Sequence, residues 1–469
     1  MKFILLLSFL TLIIIFLGWE IWKKTKCSNY LFGFVLIYFW TLNGAWIFTI
    51  DQLTGAKGAD IGISYYRIFE KLFTVQLDSN YFLTILYYGL FIIVMQLIIW
   101  LISRNHKKNT LIKIKPIYIS IKAFLILTLG LIILNLIIIY PDIKESITKG
   151  RSLYFQLNDS TNRFLTIYQL ISKVIAFTSV FSLIIYFLEK GDNFFTFQKD
   201  KISSIVVISC LIFVVLFFVF TGNKHDLLFS GIFGMLYMLR KITLKRIKNF
   251  IVFSFILLIL FISIDLSRSK QFLFSNIKPQ INFQTELSNE PKEGIKTRFK
   301  HFFFHNEMFY AHFSMYGVLS KNVPISYGKS FNYLAHSMIP RSIVSERPED
   351  IYQYYARKVN AKKGQGYTIH HATAWYLNFG ILGIILSGLF LGGIWALLNN
   401  LFLRNGFKNN FLKLFAILSP FLFVAFLPNL IRSGPEAFKG VFFESLLIPV
   451  FIVYIATLVK SEHIETNKK

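Results

Sequence analysis

Eleven apolar runs, most about twenty residues long, leave this chain few ways to fold in water. They cover residues 3–22, 30–50, 81–102, 117–140, 165–188, 202–221, 222–239, 248–265, 372–398, 411–429 and 441–459. A hydrocarbon core about 30 Å thick is crossed by roughly 20 residues of α-helix, and helices satisfy their own backbone groups there. The expectation is an all-α polytopic membrane protein with about eleven transmembrane helices. The first run follows Lys2, yet Gly18-Trp19-Glu20-Ile21-Trp22 lacks a small-residue cleavage pattern, so it reads as a retained helix rather than a signal peptide.

Composition supports a lipid solvent. Apolar residues make up 55% of the 469, with 53 phenylalanines, more than a soluble core needs. The net charge of +26 suits anionic lipid head groups and anionic substrates. The cations sit in short clusters between apolar runs, not on one soluble face, which argues against nucleic acid as a partner. Cys27 and Cys210 are too far apart in sequence to suggest a disulfide framework or a metal site.

Positive residues stay in the cytoplasm. Alternate connections, from Lys23–Lys26 through Arg104–Lys115, Lys190–Lys201, Arg240–Lys248 and Arg404–Lys413 to the tail Lys460–Lys469, hold 22 Lys and Arg. This predicts the N-terminus outside and the C-terminus in the cytoplasm. Residues 1–265 then hold helices one to eight, 266–371 form a long extracytoplasmic loop, and 372–469 hold the last three helices and a tail. A loop of this length is functional or disordered more often than a mere connector. Within it, Phe299 to Val318 reads as an aromatic helix on or dipping into the membrane. A glycine-rich phosphate loop is absent from the sequence.

Ionisable groups near membrane depth are expensive and commonly functional. Four outer-face clusters stand out: Thr221-Gly222-Asn223-Lys224-His225-Asp226, Ile339-Pro340-Arg341, Tyr367-Thr368-Ile369-His370-His371, and Ile431-Arg432-Ser433-Gly434-Pro435-Glu436. Several further pieces share their order along the chain: Tyr327-Gly328-Lys329-Ser330, Glu346-Arg347-Pro348, and Asn378-Phe379-Gly380-Ile381-Leu382-Gly383 after the histidine pair. In these pieces the chain resembles the Wzy-type polymerases of O-antigen or capsular polysaccharide repeat units, related to the O-antigen ligases. The likeness covers the whole chain in layout and about 220–440 in motif. It departs from the ligase pattern, where His-Asn precedes a glycine pair by a longer gap, so His370 and His371 both stay candidates for the family's position.

The resemblance implies a GT-C-like, metal-independent glycosyltransferase of the bacterial inner membrane, without cofactor. It would join glycan from undecaprenyl diphosphate to a sugar hydroxyl of another lipid-linked unit, with a chain-length regulator as partner. Arg341 and Arg432 would hold the departing diphosphate, since guanidinium binds phosphate oxygens in pairs. Lys224 would assist, and His370 or His371 would orient or deprotonate the hydroxyl.

Each assignment has a plainer rival. Arg432 and Lys224 would serve as interfacial anchors, and a histidine would cap the helix starting near Ala372. Glu436 and Glu444 read first as partners of Arg432 or Lys439. His301, His305, Glu307 and His312 have partial metal-ligand spacing, though Phe302-Phe303-Phe304 between the first two suit an interfacial helix equally. Tyr352, Tyr354, Tyr355 and Tyr367 would stack on sugar rings. The nearest enzymatic alternative is an O-antigen ligase, and the transporter alternative is a lipid-linked oligosaccharide flippase, which would carry charged residues within several spans.

Overall fold

The computed structural model describes residues 1–54, 75–103, 116–119, 121–150, 152–159, 164–188, 194–196, 201–240, 243–269, 307–339, 344, 346–361, 368–403, 407 and 409–458. The described chain is mostly helical. In order it forms α1 (Lys2–Thr25), α2 (Ser28–Thr41), α3 (Asn43–Thr54), α4 (Ser79–Ile102), β1 (Ile117–Tyr118), α5 (Ile121–Ile138), α6 (Tyr140–Lys149), α7 (Leu153–Asp159), α8 (Leu165–Leu188), β2 (Phe195–Thr196), α9 (Lys201–Thr221) and α10 (Lys224–Met238). There follow α11 (Leu244–Ser269), α12 (Glu307–Ser320), α13 (Lys329–Met338), α14 (Ile351–Lys358), α15 (His371–Phe379), α16 (Ile381–Leu403), α17 (Asn410–Ala425), α18 (Leu427–Ile431) and α19 (Ala437–Leu458).

Among the described residues, five helical stretches are long and apolar enough to cross a membrane: α1, α4, Leu165–Ile185 of α8, α16 and α19. The count reaches seven if α2 with α3, and Phe124–Ile138 with α6, are each one bent span. Both bends have local causes. Pro141, in the first turn of α6, has no N–H to continue the ladder, and the axis turns by 56°. At the 42° bend after Thr41, the Ala45 amide donates to Leu42 instead of Thr41, which frees the Thr41 carbonyl.

The described chain forms two compact units. The first comprises residues 1–108, 285–403 and 426–442. Here α4 lies backbone to backbone against α16: a Cβ on Gly388 would meet the Phe91 carbonyl at 2.8 Å, and one on Gly392 would meet that of Met95 at 2.5 Å. Helices in lipid associate through such close packing and through polar contacts, each worth about 0.6 kcal/mol. Asn29 supplies one, donating to Asn399 at 2.6 Å. In α12 Ala311 to Val318 are all buried, His312 and Ser314 among them with polar partners; residues 299–306 of the Phe299–Val318 run lie outside the described residues.

The second unit comprises 109–284, 404–425 and 443–469. Its β1 and β2 pair in parallel over two residues. Thr128 donates to Thr178 between α5 and α8, and Asn135 donates to Ser172 in the same pair of helices. Phe177, Phe181, Phe233 and Tyr237 pack edge and face between α8 and α10.

Candidate functional site

The histidine pair is placed by the glycines that follow it. Gly380 separates α15 from α16 with φ +63°, a conformation that side chains with a Cβ rarely adopt. A Cβ on Gly383 would stand 2.0 Å from the Trp375 carbonyl, so α16 starts tight against the helix it follows.

His370 is the N-cap of α15. Its Nδ1 accepts the Ala372 amide at 3.1 Å, so the ring proton is on Nε2, which donates to Thr41 Oγ1 at 3.1 Å. Its own amide donates to Ser314. The same interior holds His312, whose Nδ1–H donates to the carbonyl freed at Thr41 at 2.9 Å, while Nε2 accepts from Tyr81. Tyr88 donates to the His312 carbonyl, and Ser314 and Thr373 close the network. Burial pushes His312 down to about 4 and His370 well below the usual imidazole range. Both rings are neutral and have both nitrogens partnered.

His371 differs. Its Nδ1 faces the Ser433 carbonyl at 3.2 Å. A carbonyl only accepts, so Nδ1 carries the proton and Nε2 bears a lone pair, buried and without a partner among the described residues. One turn on, the buried Trp375 Nε1 is likewise unpartnered. An acceptor and a donor on neighbouring turns, among Phe331, Phe390 and Phe438, match a hydroxyl group, which both donates and accepts. Burial holds His371 at about 4, so at neutral pH its Nε2 is available to accept and orient more than to deprotonate.

The segment against His371 runs from α18 to α19. Arg432 caps the C-terminus of α18, its amide bonded to the Pro428 carbonyl. Glu436 follows and accepts the Ile351 amide at 3.0 Å. Gly434 is enclosed by Glu436, Ile351 and Ala374, with no room for a Cβ. Burial raises the Glu436 carboxyl to about 7, opposed by the Ile351 amide, the range in which a general base works best. The expected pairing of Glu436 with Lys439 is not what the fold builds: Lys439 donates to the Ser337 carbonyl at 2.7 Å.

The Tyr327-Gly328-Lys329-Ser330 segment enters α13 with both Tyr327 and Gly328 at positive φ. This sets the Ser330 amide on Asn378 Oδ1 at 3.1 Å and sends Lys329 to Glu349 at 2.8 Å. Arg357 grips the same carboxylate with two nitrogens. The Arg357 guanidinium, with Lys329 adding to it, holds Glu349 down at about 2.

Of the sequence candidates, His370, His371 and Arg432 fall in the first unit, and His371 and Arg432 flank one loop. Lys224 belongs to the second unit, where its ammonium lies 4.6 Å from the Phe261 ring centre. Arg341, His301, His305 and Tyr367 lie outside the described residues. Tyr354 and Tyr355 are buried in an apolar cluster with Ile351 and Leu377. Glu444 pairs with Lys173. Trp375 carried no signal in the sequence beyond its i+4 spacing from His371. Compared with known protein families, curated proteins and solved structures, the chain matches none of them.

Proposed function

We propose that the chain is a repeat-unit polymerase of surface polysaccharide, moving a glycan from undecaprenyl diphosphate to the sugar hydroxyl of a second lipid-linked unit. The observation that supports it best is the unpartnered Nε2 of His371, set against the loop that carries Arg432 and Glu436. On this reading His371 Nε2 accepts from one hydroxyl of the acceptor sugar and Trp375 donates to the same oxygen, which orients the ring. Glu436 takes the single proton of the neighbouring, attacking hydroxyl as that oxygen bonds to the anomeric carbon, and the bond from that carbon to the diphosphate oxygen breaks. The lipid diphosphate leaves with the electron pair, held by Arg432 and by Arg341. The chemistry draws on a leaving group already activated, so the reading includes neither nucleotide nor metal.

The reading carries the finer architecture with it: about eleven spans, the N-terminus outside, residues 266–371 outside a bacterial inner membrane, and a chain-length regulator as partner. An O-antigen ligase would share the donor and differ in the acceptor. A flippase reading is favoured by one observation, the ion pair of Lys173 with Glu444 between two apolar helices.

The test is incubation of the purified chain with synthetic lipid-diphosphate repeat units, with and without chelator, followed by gel analysis. A ladder that survives chelation is expected, and Arg432→Ala should leave single units. No ladder from competent units, or a wild-type ladder from both Arg341→Ala and Arg432→Ala, would sink the proposal.

A further inference from the structure

We propose that the end of α1, where it meets α4, is a binding site for the phosphate of an anionic phospholipid. Lys23, Lys24 and Lys26 close α1. Among the described residues at this end of α1, α2, α4 and α16 the one carboxylate is Glu20, 3.8 Å from Lys23, so two ammonium charges stay uncompensated. The patch lies at the opposite end of α2 from Thr41, the partner of His370, about 20 Å away at 1.5 Å of rise per residue. It is therefore no part of the histidine site.

Two of the three ammonium groups are held in place by indoles. The Lys26 backbone is left-handed, with φ 54°, at the position where helices commonly place glycine. Its amide donates to the Trp22 carbonyl at 2.7 Å, and its ammonium lies 4.3 Å from the centre of the Trp22 ring. Lys24 reaches across to α4, where it donates to the Trp100 carbonyl and sits 5.1 Å from the Trp100 ring centre. An ammonium has three N–H donors, so one bond to a carbonyl leaves Lys24 two for phosphate oxygens. Trp19 packs on Trp22 at 4.9 Å, and both Trp19 and Trp100 are half-exposed. Lysines that only answered the carbonyl end of the α1 dipole would need no indoles. Three indoles beside lysines, at the ends of two helices long and apolar enough to cross a membrane, mark the level of the head groups, where the available anion is a lipid phosphate. A zwitterionic head group brings its own cation against the two uncompensated charges. An anionic one does not, so the patch selects lipids of net negative charge.

The test titrates the full chain, in a non-ionic detergent, with phosphatidylglycerol or phosphatidylcholine and counts bound lipid by native mass spectrometry. Phosphatidylglycerol is expected to bind about tenfold more tightly. Lys24→Gln with Lys26→Gln should erase that preference, and Lys24→Arg with Lys26→Arg should keep it. Lys468→Gln with Lys469→Gln removes the same charge from the chain end and should leave the preference unchanged. Phosphatidylglycerol carrying a diazirine near its head group tests the wild-type chain without any variant: its crosslinks should fall on the peptides around Trp22 and Trp100. Equal affinity for the two lipids would overturn the proposal, as would a preference that survives the paired glutamines at Lys24 and Lys26 or is lost with those at Lys468 and Lys469. Crosslinks confined to other peptides would do the same. So would displacement of the lipid by equimolar inorganic phosphate, which would make this a site for the free anion.

Discussion

His370 and His371 are neighbours in sequence, equally buried, and chemically opposite. On the His370 side every ring nitrogen has a partner and the imidazole joins helix ends to a bent neighbour. On the His371 side one nitrogen is committed to the Ser433 carbonyl and the other is left over; the carboxyl that burial raises toward neutrality, Glu436, follows three residues after Ser433. Residue type and burial do not separate the two rings. Completeness of hydrogen bonding does.

The sharpest way to break this contrast is Glu436→Gln, which keeps an acceptor for Ile351 and removes the base. Product formation should fall by about 10²–10⁴-fold with the fold retained, and an unchanged rate would remove Glu436 from the chemistry. His370→Ala acts on the other side. Loss of a cap and the orphaning of buried partners should lower stability by about 2–4 kcal/mol, read from thermal unfolding in detergent. His371→Asn keeps a donor for Ser433 and deletes Nε2. Turnover should drop about ten- to a hundredfold while the melting temperature stays near wild type, and a large loss of stability would make His371 structural after all.

A pH titration sharpens the same point. The folded Glu436 carboxyl, at about 7, holds its proton more tightly than the ordinary 4.5 of the unfolded chain. Stability from this group is therefore greatest below about 4.5 and falls as pH rises to about 7. The change is about 3 kcal/mol, and Glu436→Gln should flatten that window. The smallest effect belongs to the fully paired and partly exposed Glu349, whose folded value of about 2 has the opposite sign. Its stabilisation is present above the unfolded value and lost as pH falls toward 2, and Glu349→Gln should cost under about 1 kcal/mol at neutral pH.

Much of the helical layout was legible because apolar length and proline or glycine position are local properties: Pro141, Gly380 and the long runs at 2–25, 79–102 and 381–403 announce themselves. The two histidines could be found but not told apart, since the tautomer of each is set by partners such as Thr41, 329 residues from His370. Glu436 and Glu444 were misjudged for the same reason. Their partners, the Ile351 amide and Lys173, are 85 and 271 residues away, and nearby Arg432 and Lys439 looked more plausible only because sequence shows neighbours.

Gly383 leaves no gap between the start of α16 and Trp375, and Gly388 and Gly392 lock α16 to α4. The short helix that opens on His371 is thus butted against the start of a helix long and apolar enough to cross a membrane, so a shift of α16 meets no slack before it reaches the turn that carries the ring.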